Sequence, residues 1–295
     1  MALLASGAWA ETLYVATLRD YSNVETEGLG GGLYSVDPAT GKSALVARFR
    51  IGGVIPIGLT GLAIHPKTGA FYGITAGLSS QIPRSLVSVD PKTGNTTLVG
   101  SLNHAGSDIR FDAKGTLYVW LNEEARVATV DLGTGAATPL GPSGYGETLG
   151  GGMGIDRSGD MYVSATNAAG TLDRIDLSTG HATVGPRLMG APYIASLNSM
   201  AFSNAGTLYA VNSNLSAPAK TMLITIDPQS GAVKEIGPLP NDVDALSFGP
   251  SASEPIRVSR PVEPWVTILL ALVAGMALGY GFATVLRPRK PGSRT

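Results

Sequence analysis

A seven-residue phrase occurs five times along this chain: Ser35-Val-Asp-Pro-Ala-Thr-Gly41, Ser88-Val-Asp-Pro-Lys-Thr-Gly94, Thr129-Val-Asp-Leu-Gly-Thr-Gly135, Arg174-Ile-Asp-Leu-Ser-Thr-Gly180 and Thr225-Ile-Asp-Pro-Gln-Ser-Gly231. Its aspartates, Asp37, Asp90, Asp131, Asp176 and Asp227, stand 53, 41, 45 and 51 residues apart. A repeat of about 40–50 residues built from short strands predicts an all-β fold of β-propeller type. Each copy carries a β-branched residue before the Asp and polar residues after it. The Asp side chain can accept from backbone N–H groups further along the turn, and the Gly supplies the positive φ that returns the chain to a strand. Apolar residues then resume, as in Thr97-Leu-Val99, which makes each copy the connection of a hairpin.

A second phrase alternates with the first: an apolar strand, a turn containing Gly, then an apolar-Tyr pair. Its copies are Leu62-Ala-Ile64 with Phe71-Tyr72, Ile109-Arg-Phe111 with Leu117-Tyr118, Met153-Gly-Ile155 with Met161-Tyr162, and Met200-Ala-Phe202 with Leu208-Tyr209. Two phrases give four strands, one propeller blade. The fifth unit is divided between the ends of the chain. Ala245-Leu-Ser-Phe248 is an inner strand with nothing after it, and Leu13-Tyr14-Val15 is an apolar-Tyr strand with nothing before it. Pairing them closes the ring and leaves no open sheet edge. The count is five four-stranded blades; six is the alternative, because Gly31-Gly-Leu-Tyr34 also resembles a blade strand.

The 39 glycines among 295 residues, well above a usual ~7%, follow from this density of turns. Charged residues make up 15% and the net charge is −1. With no basic stripe in the repeats, nucleic acid is not an expected partner. The absence of cysteine excludes disulfides, thiolate metal sites and a Cys nucleophile.

The stretch 265–286 holds 22 residues without a charge, enough to span a hydrocarbon core of ~30 Å as a helix. The expected layout is a remnant of an export signal at 1–10, the propeller at 11–250, a Pro/Ser-rich tether at 251–264, a transmembrane helix at 265–286 and a basic tail at 287–295. Arg287, Arg289, Lys290 and Arg294 outnumber Arg257 and Arg260 on the other side, so the positive-inside rule puts the tail in the cytoplasm and the propeller on the periplasmic or extracellular side. Ala8-Trp-Ala10 fits a cleavage site before Glu11, although the segment is short and has no basic start. A tail-anchored protein with a cytosolic propeller is the alternative. Ala271, Gly275, Gly279 and Ala283 recur every four residues, giving the helix one small face that suits close packing with a second helix, from another copy or another subunit.

Chemistry is sparse. The three histidines, His65, His104 and His181, are scattered in the repeat frame, and the five turn aspartates lie in different blades, so no metal site is expected. No cofactor is expected either. In a propeller, a ligand site belongs at the channel mouth where the loops leading into the inner strands converge. The polar residues there are Thr60, Asp108, Asn198 and Asp244, with Arg110 on an inner strand; no nucleophile, base or acid stands out among them. Tyr145, Leu188, Met189 and Tyr193 lie in long connections that suit either a protein contact or loop packing.

The repeats Leu33-Tyr-Ser-Val-Asp-Pro-Ala-Thr-Gly-Lys42 and Leu86-Val-Ser-Val-Asp-Pro-Lys-Thr-Gly94 resemble those of bacterial secreted propellers of the YVTN/NHL/lactonase-like group, over about 240 residues. The resemblance implies a fold and no particular activity. Lactonase-like and quinoprotein relatives carry a metal or quinone site; their acidic cluster and Trp ladder have no counterpart here. The tail resembles bacterial surface-sorting tails, and Val262-Glu-Pro264 approximates the Pro-Glu-Pro signal of one class. The first expectation is a membrane-anchored, non-enzymatic interaction or scaffold module, such as an accessory subunit of a respiratory or photosynthetic type of complex. The alternatives are a channel-mouth hydrolase of lactonase type and a propeller that binds sugar or another small ligand.

Overall fold

The computed structural model describes residues 11–18, 30–77, 79, 81–148, 150–165, 170–193, 196–214 and 216–250. The expected export signal, tether, membrane span and tail, with Ala271, Gly275, Gly279 and Ala283, lie outside the described residues. Among the described residues no helix is long and apolar enough to cross a membrane.

The architecture is a five-bladed propeller of antiparallel four-stranded sheets. Blade II comprises Gly61–Ile64, Phe71–Ile74, Ser85–Val89 and Asn95–Ser101; blade III comprises Gly106–Phe111, Leu117–Leu121, Arg126–Val130 and Ala137–Pro139. Blade IV comprises Gly151–Ile155, Met161–Ala165, Asp173–Ile175 and Ala182–Thr183; blade V comprises Ser196–Phe202, Leu208–Ser213, Thr221–Ile226 and Val233–Pro238. Blade I joins the two ends of the repeat region. Its inner strand is Val243–Pro250, followed outward by Glu11–Thr17, Gly32–Val36 and Ser43–Arg48. Leu13 pairs with Phe248 and Val15 with Leu246, so the N-terminal strand completes the last sheet. The segment that resembled the start of a sixth blade is the third strand of blade I. A short ribbon, Arg50–Ile51 with Ile55–Pro56, adds to the outer edge of blade II, where Arg50–Ile51 runs parallel to Asn95–Ser101.

Strand alternation divides the inner strands into two faces. Leu62, Ile109, Met153, Met200 and Leu246 point between blades and are fully buried. Each packs with residues of the preceding blade: Leu62 in one cluster with Tyr14 and Leu33, Ile109 with Ile74 and Leu86, Met153 with Trp120 and Val127. Burial of one such side chain contributes about 1.5–3 kcal/mol, and the ring repeats it at every interface.

The two sequence phrases both serve blade-to-blade contact. The Tyr of the second phrase meets the phenylalanine near the end of the next inner strand: Tyr72 with Phe111, Tyr162 with Phe202 and Tyr209 with Phe248, at ring-centroid distances of 5.7, 5.4 and 5.3 Å. The turn of the first phrase lies against the preceding blade. Gly180 has φ of +80°, and a Cβ there would stand 2.3 Å from the carbonyl oxygen of Gly141. Gly41 of blade I sits against Gly237 of blade V in the same way, with φ of +75°, so this contact also runs round the closure.

Candidate functional site

The axis is filled in layers that can be read from the register. One axial position per blade is held by Ala63, Arg110, Gly154, Ala201 and Ser247. Two residues earlier the corresponding set is Gly61, Asp108, Gly152, Ser199 and Ala245. In each layer small residues leave room for the long or polar side chains of blade III.

Arg110 uses that room. Its Nε donates to the carbonyls of Met153 and Met200, Nη1 to those of Leu62 and Ile109, and Nη2 to Asp108 Oδ2 and Ser199 Oγ. The Asp108 carboxylate accepts from the amides of Ile109 and Met153, both at 2.9 Å, and from the Ser199 hydroxyl at 3.1 Å. Ser199 Oγ accepts in turn from the Leu246 amide at 2.9 Å. One ion pair and one hydroxyl therefore bond to the inner strands of all five blades. The Asp108 and Arg110 side chains are 0% and 6% exposed. Burial pushes the Asp108 carboxyl up to about 7, opposed by the guanidinium and the surrounding donors; burial likewise lowers Arg110, opposed by Asp108. Such a pair is costly to bury and more costly to break: removing one partner typically destabilises by about 3–5 kcal/mol.

The five sequence candidates separate into three places. Asp108 and Arg110 form the axial cluster, together with Ser199, which sequence reasoning missed. Its signal was a second polar residue, besides Asp108, at a repeat position otherwise held by Gly and Ala. Asn198 donates through Nδ2 to Asp244 Oδ1 at 2.7 Å and to the Val243 carbonyl, bridging blades V and I. Thr60 stands one residue before its strand and bonds the carbonyls of Ile74 and Gly106. In the connections, Tyr145 packs edge-on against Trp120 and bonds Asp173. Burial and that carboxylate raise its hydroxyl above the usual tyrosine range. Leu188 packs into the apolar cluster between blades IV and V, the backbone of Tyr193 is held by the Asn212 amide, and Met189 is 57% exposed.

A cavity of about 420 Å³ opens at the opposite end of the axis, where the inner strands finish. Arg110 and Ser247 lie at its base and Phe111, Phe202 and Phe248 on its sides. Its outer layer continues the axial register through His65, Asp112, Asp156 and Ser203, which also close the tight turns. Lys114 and Thr116 amides donate to Asp112 Oδ1, and Ser158 and Asp160 amides to Asp156 Oδ1. His65 Nδ1 accepts from the Lys67 and Thr68 amides at 3.2 and 3.3 Å, the same capping role in another chemistry. Burial and Lys67 lower its pKa. In blade I the two paired strands are not consecutive in the chain, and Glu11 and Pro250 complete the rim in place of this turn. Glu11 accepts from the Asn204 amide; burial raises its carboxyl, against the pull of that amide and of Arg157. Among the described residues no group of three or more His, Cys, Asp or Glu side chains could hold a metal ion.

Fold and axis together define a closed repeat propeller. The profile of a repeat of unknown function, DUF6923, matches residues 133–251, which cover blades IV and V and part of blades III and I. No curated protein matches. Among solved structures the chain is similar to one in the crystal structure of a nidogen/laminin complex, with TM-score 0.51 and 11% identity over 82% of this chain and 99% of that one. A structural genomics protein of unknown function from Bacteroides thetaiotaomicron VPI-5482 aligns with TM-score 0.45 and 15% identity over 62% of this chain and 51% of that one, too distant to inform the fold. In all, 540 chains match, so the likeness defines architecture and no activity.

Proposed function

We propose that this protein is a membrane-anchored, extracytoplasmic interaction module, a rigid propeller held beside the bilayer as an accessory subunit of a larger membrane complex. The observation that carries this reading is the axial cluster. Asp108, Arg110 and Ser199 spend their hydrogen-bonding capacity on the blades, which is the work of a scaffold joint. The uncharged stretch 265–286 and its small face at Ala271, Gly275, Gly279 and Ala283 support anchoring with lateral helix contact.

Native purification from membranes in mild detergent tests the proposal. The tagged chain is expected to bring a second membrane subunit or a second copy with it, and Gly275→Leu with Gly279→Leu to reduce that yield several-fold. An unchanged assembly would remove helix packing from the account. In intact cells external protease is expected to digest the propeller, whereas protection would place it in the cytoplasm.

A further inference from the structure

We propose that the cavity where the inner strands finish is a binding site for a guanidinium or ammonium group carried on an aliphatic stem. Its volume of about 420 Å³ lies within the ~300–1,000 Å³ of small-molecule sites. The polar group that the base presents to an occupant is Ser247. Its residue is only 6% exposed, it holds the axial position that Arg110 fills in blade III, and it lines the cavity. Its hydroxyl makes no hydrogen bond among the described residues, which leaves it free to meet a bound group.

The chemistry around that hydroxyl selects a cation. All five N–H groups of Arg110 are spent on carbonyls, Asp108 and Ser199, so Arg110 offers a ligand no donor and Asp108 balances its charge, while the Ser247 hydroxyl can accept or donate. The rim offers acceptors. Asp112 and Asp156 cap their turns through Oδ1 alone, which leaves each Oδ2 without a hydrogen bond, and Glu11 adds a third carboxylate. Arg157, also in the lining, attracts Glu11. An anion would meet the rim carboxylates with a single neutral hydroxyl, that of Ser247, to set against them. A neutral polyol would leave the excess negative charge uncompensated. A guanidinium or ammonium answers both, and Phe111, Phe202 and Phe248 provide apolar cover for its stem and ring faces for its charge.

The test is calorimetric titration of the full-length chain with N-acetyl-arginine N-methylamide and with its uncharged isostere, N-acetyl-citrulline N-methylamide. Saturable binding of the arginine probe is expected, at least tenfold tighter than the citrulline probe. Ser247→Leu, which fills the base, is expected to abolish it, and Asp156→Asn, which keeps a capping oxygen, to weaken it severalfold; circular dichroism confirms that each variant is folded. Equal affinity for the two probes, no saturable binding, or binding that survives Ser247→Leu in a folded protein would each overturn the proposal.

Discussion

Arg110 is the residue on which the ring converges. Its guanidinium reaches carbonyls of blades II, III, IV and V, and through Ser199 it shares a hydroxyl with the Leu246 amide of blade I. Arg110→Met keeps the stem but leaves Asp108 as a buried, uncompensated charge. It is expected to cost about 3–5 kcal/mol, seen as a lowered denaturation midpoint. Arg110→Met with Asp108→Asn is expected to cost less than the sum of the two single changes, because the residues share one network; additive costs would mean they act independently. The turn aspartates make an opposite, surface contribution. Amides and hydroxyls of their own turns hold Asp37, Asp131, Asp176 and Asp227 below the usual carboxylate range. Their folded pKa values lie below the unfolded value of 3.8, so their stabilisation is present above that pH and is lost as the pH falls through the folded values. Thermal melts between pH 6 and 2.5 are expected to show this loss. Replacing the four by Asn is expected to flatten the acid side of the profile.

At the scale of the element, the hairpin turn and the apolar-Tyr strand each make the contact that orients neighbouring blades. Gly180 and Gly159 separate the two demands on a turn glycine. Both have positive φ, +80° and +89°, but a Cβ at Gly180 would meet the Gly141 backbone, whereas at Gly159 nothing lies within 4 Å. Gly159→Ala is expected to cost only the backbone strain of about 1–2 kcal/mol. Gly180→Ala is expected to cost clearly more, read as the difference between their chemical denaturation midpoints; equal costs would mean that the turn does not dock. Strands and turns were legible because each obeys local rules: alternation about Val36, capping by Asp37, the re-entrant Gly41. The pairing of Leu13 with Phe248 was legible because each end of the repeat region lacks what the other has. The cavity was not legible. Sequence reasoning looked to the end where inner strands begin, but the open volume lies where they finish, and it depends on the missing turn of blade I and on side-chain volumes at the axis. Nor did Ser199 stand out, since its role arises from neighbours 89 and 91 residues away.

For the whole molecule, closure and the axial joint are linked. The strand Glu11–Thr17 holds the last inner strand, Val243–Pro250, in place, and the joint ties that strand to the other four. The open end of the axis carries Glu11 and Pro250, the outer ends of these two paired strands, at its rim. The most direct measurement is amide hydrogen exchange on the full-length chain. Amides of 11–17 and 243–250 are expected to be protected as strongly as those of 106–111 and 196–202, and Arg110→Met to accelerate exchange in the inner strands of all five blades together. Rapid exchange of 11–17 beside protected blades II to V, or an Arg110→Met effect confined to blade III, would contradict a ring closed by its ends and joined at its axis.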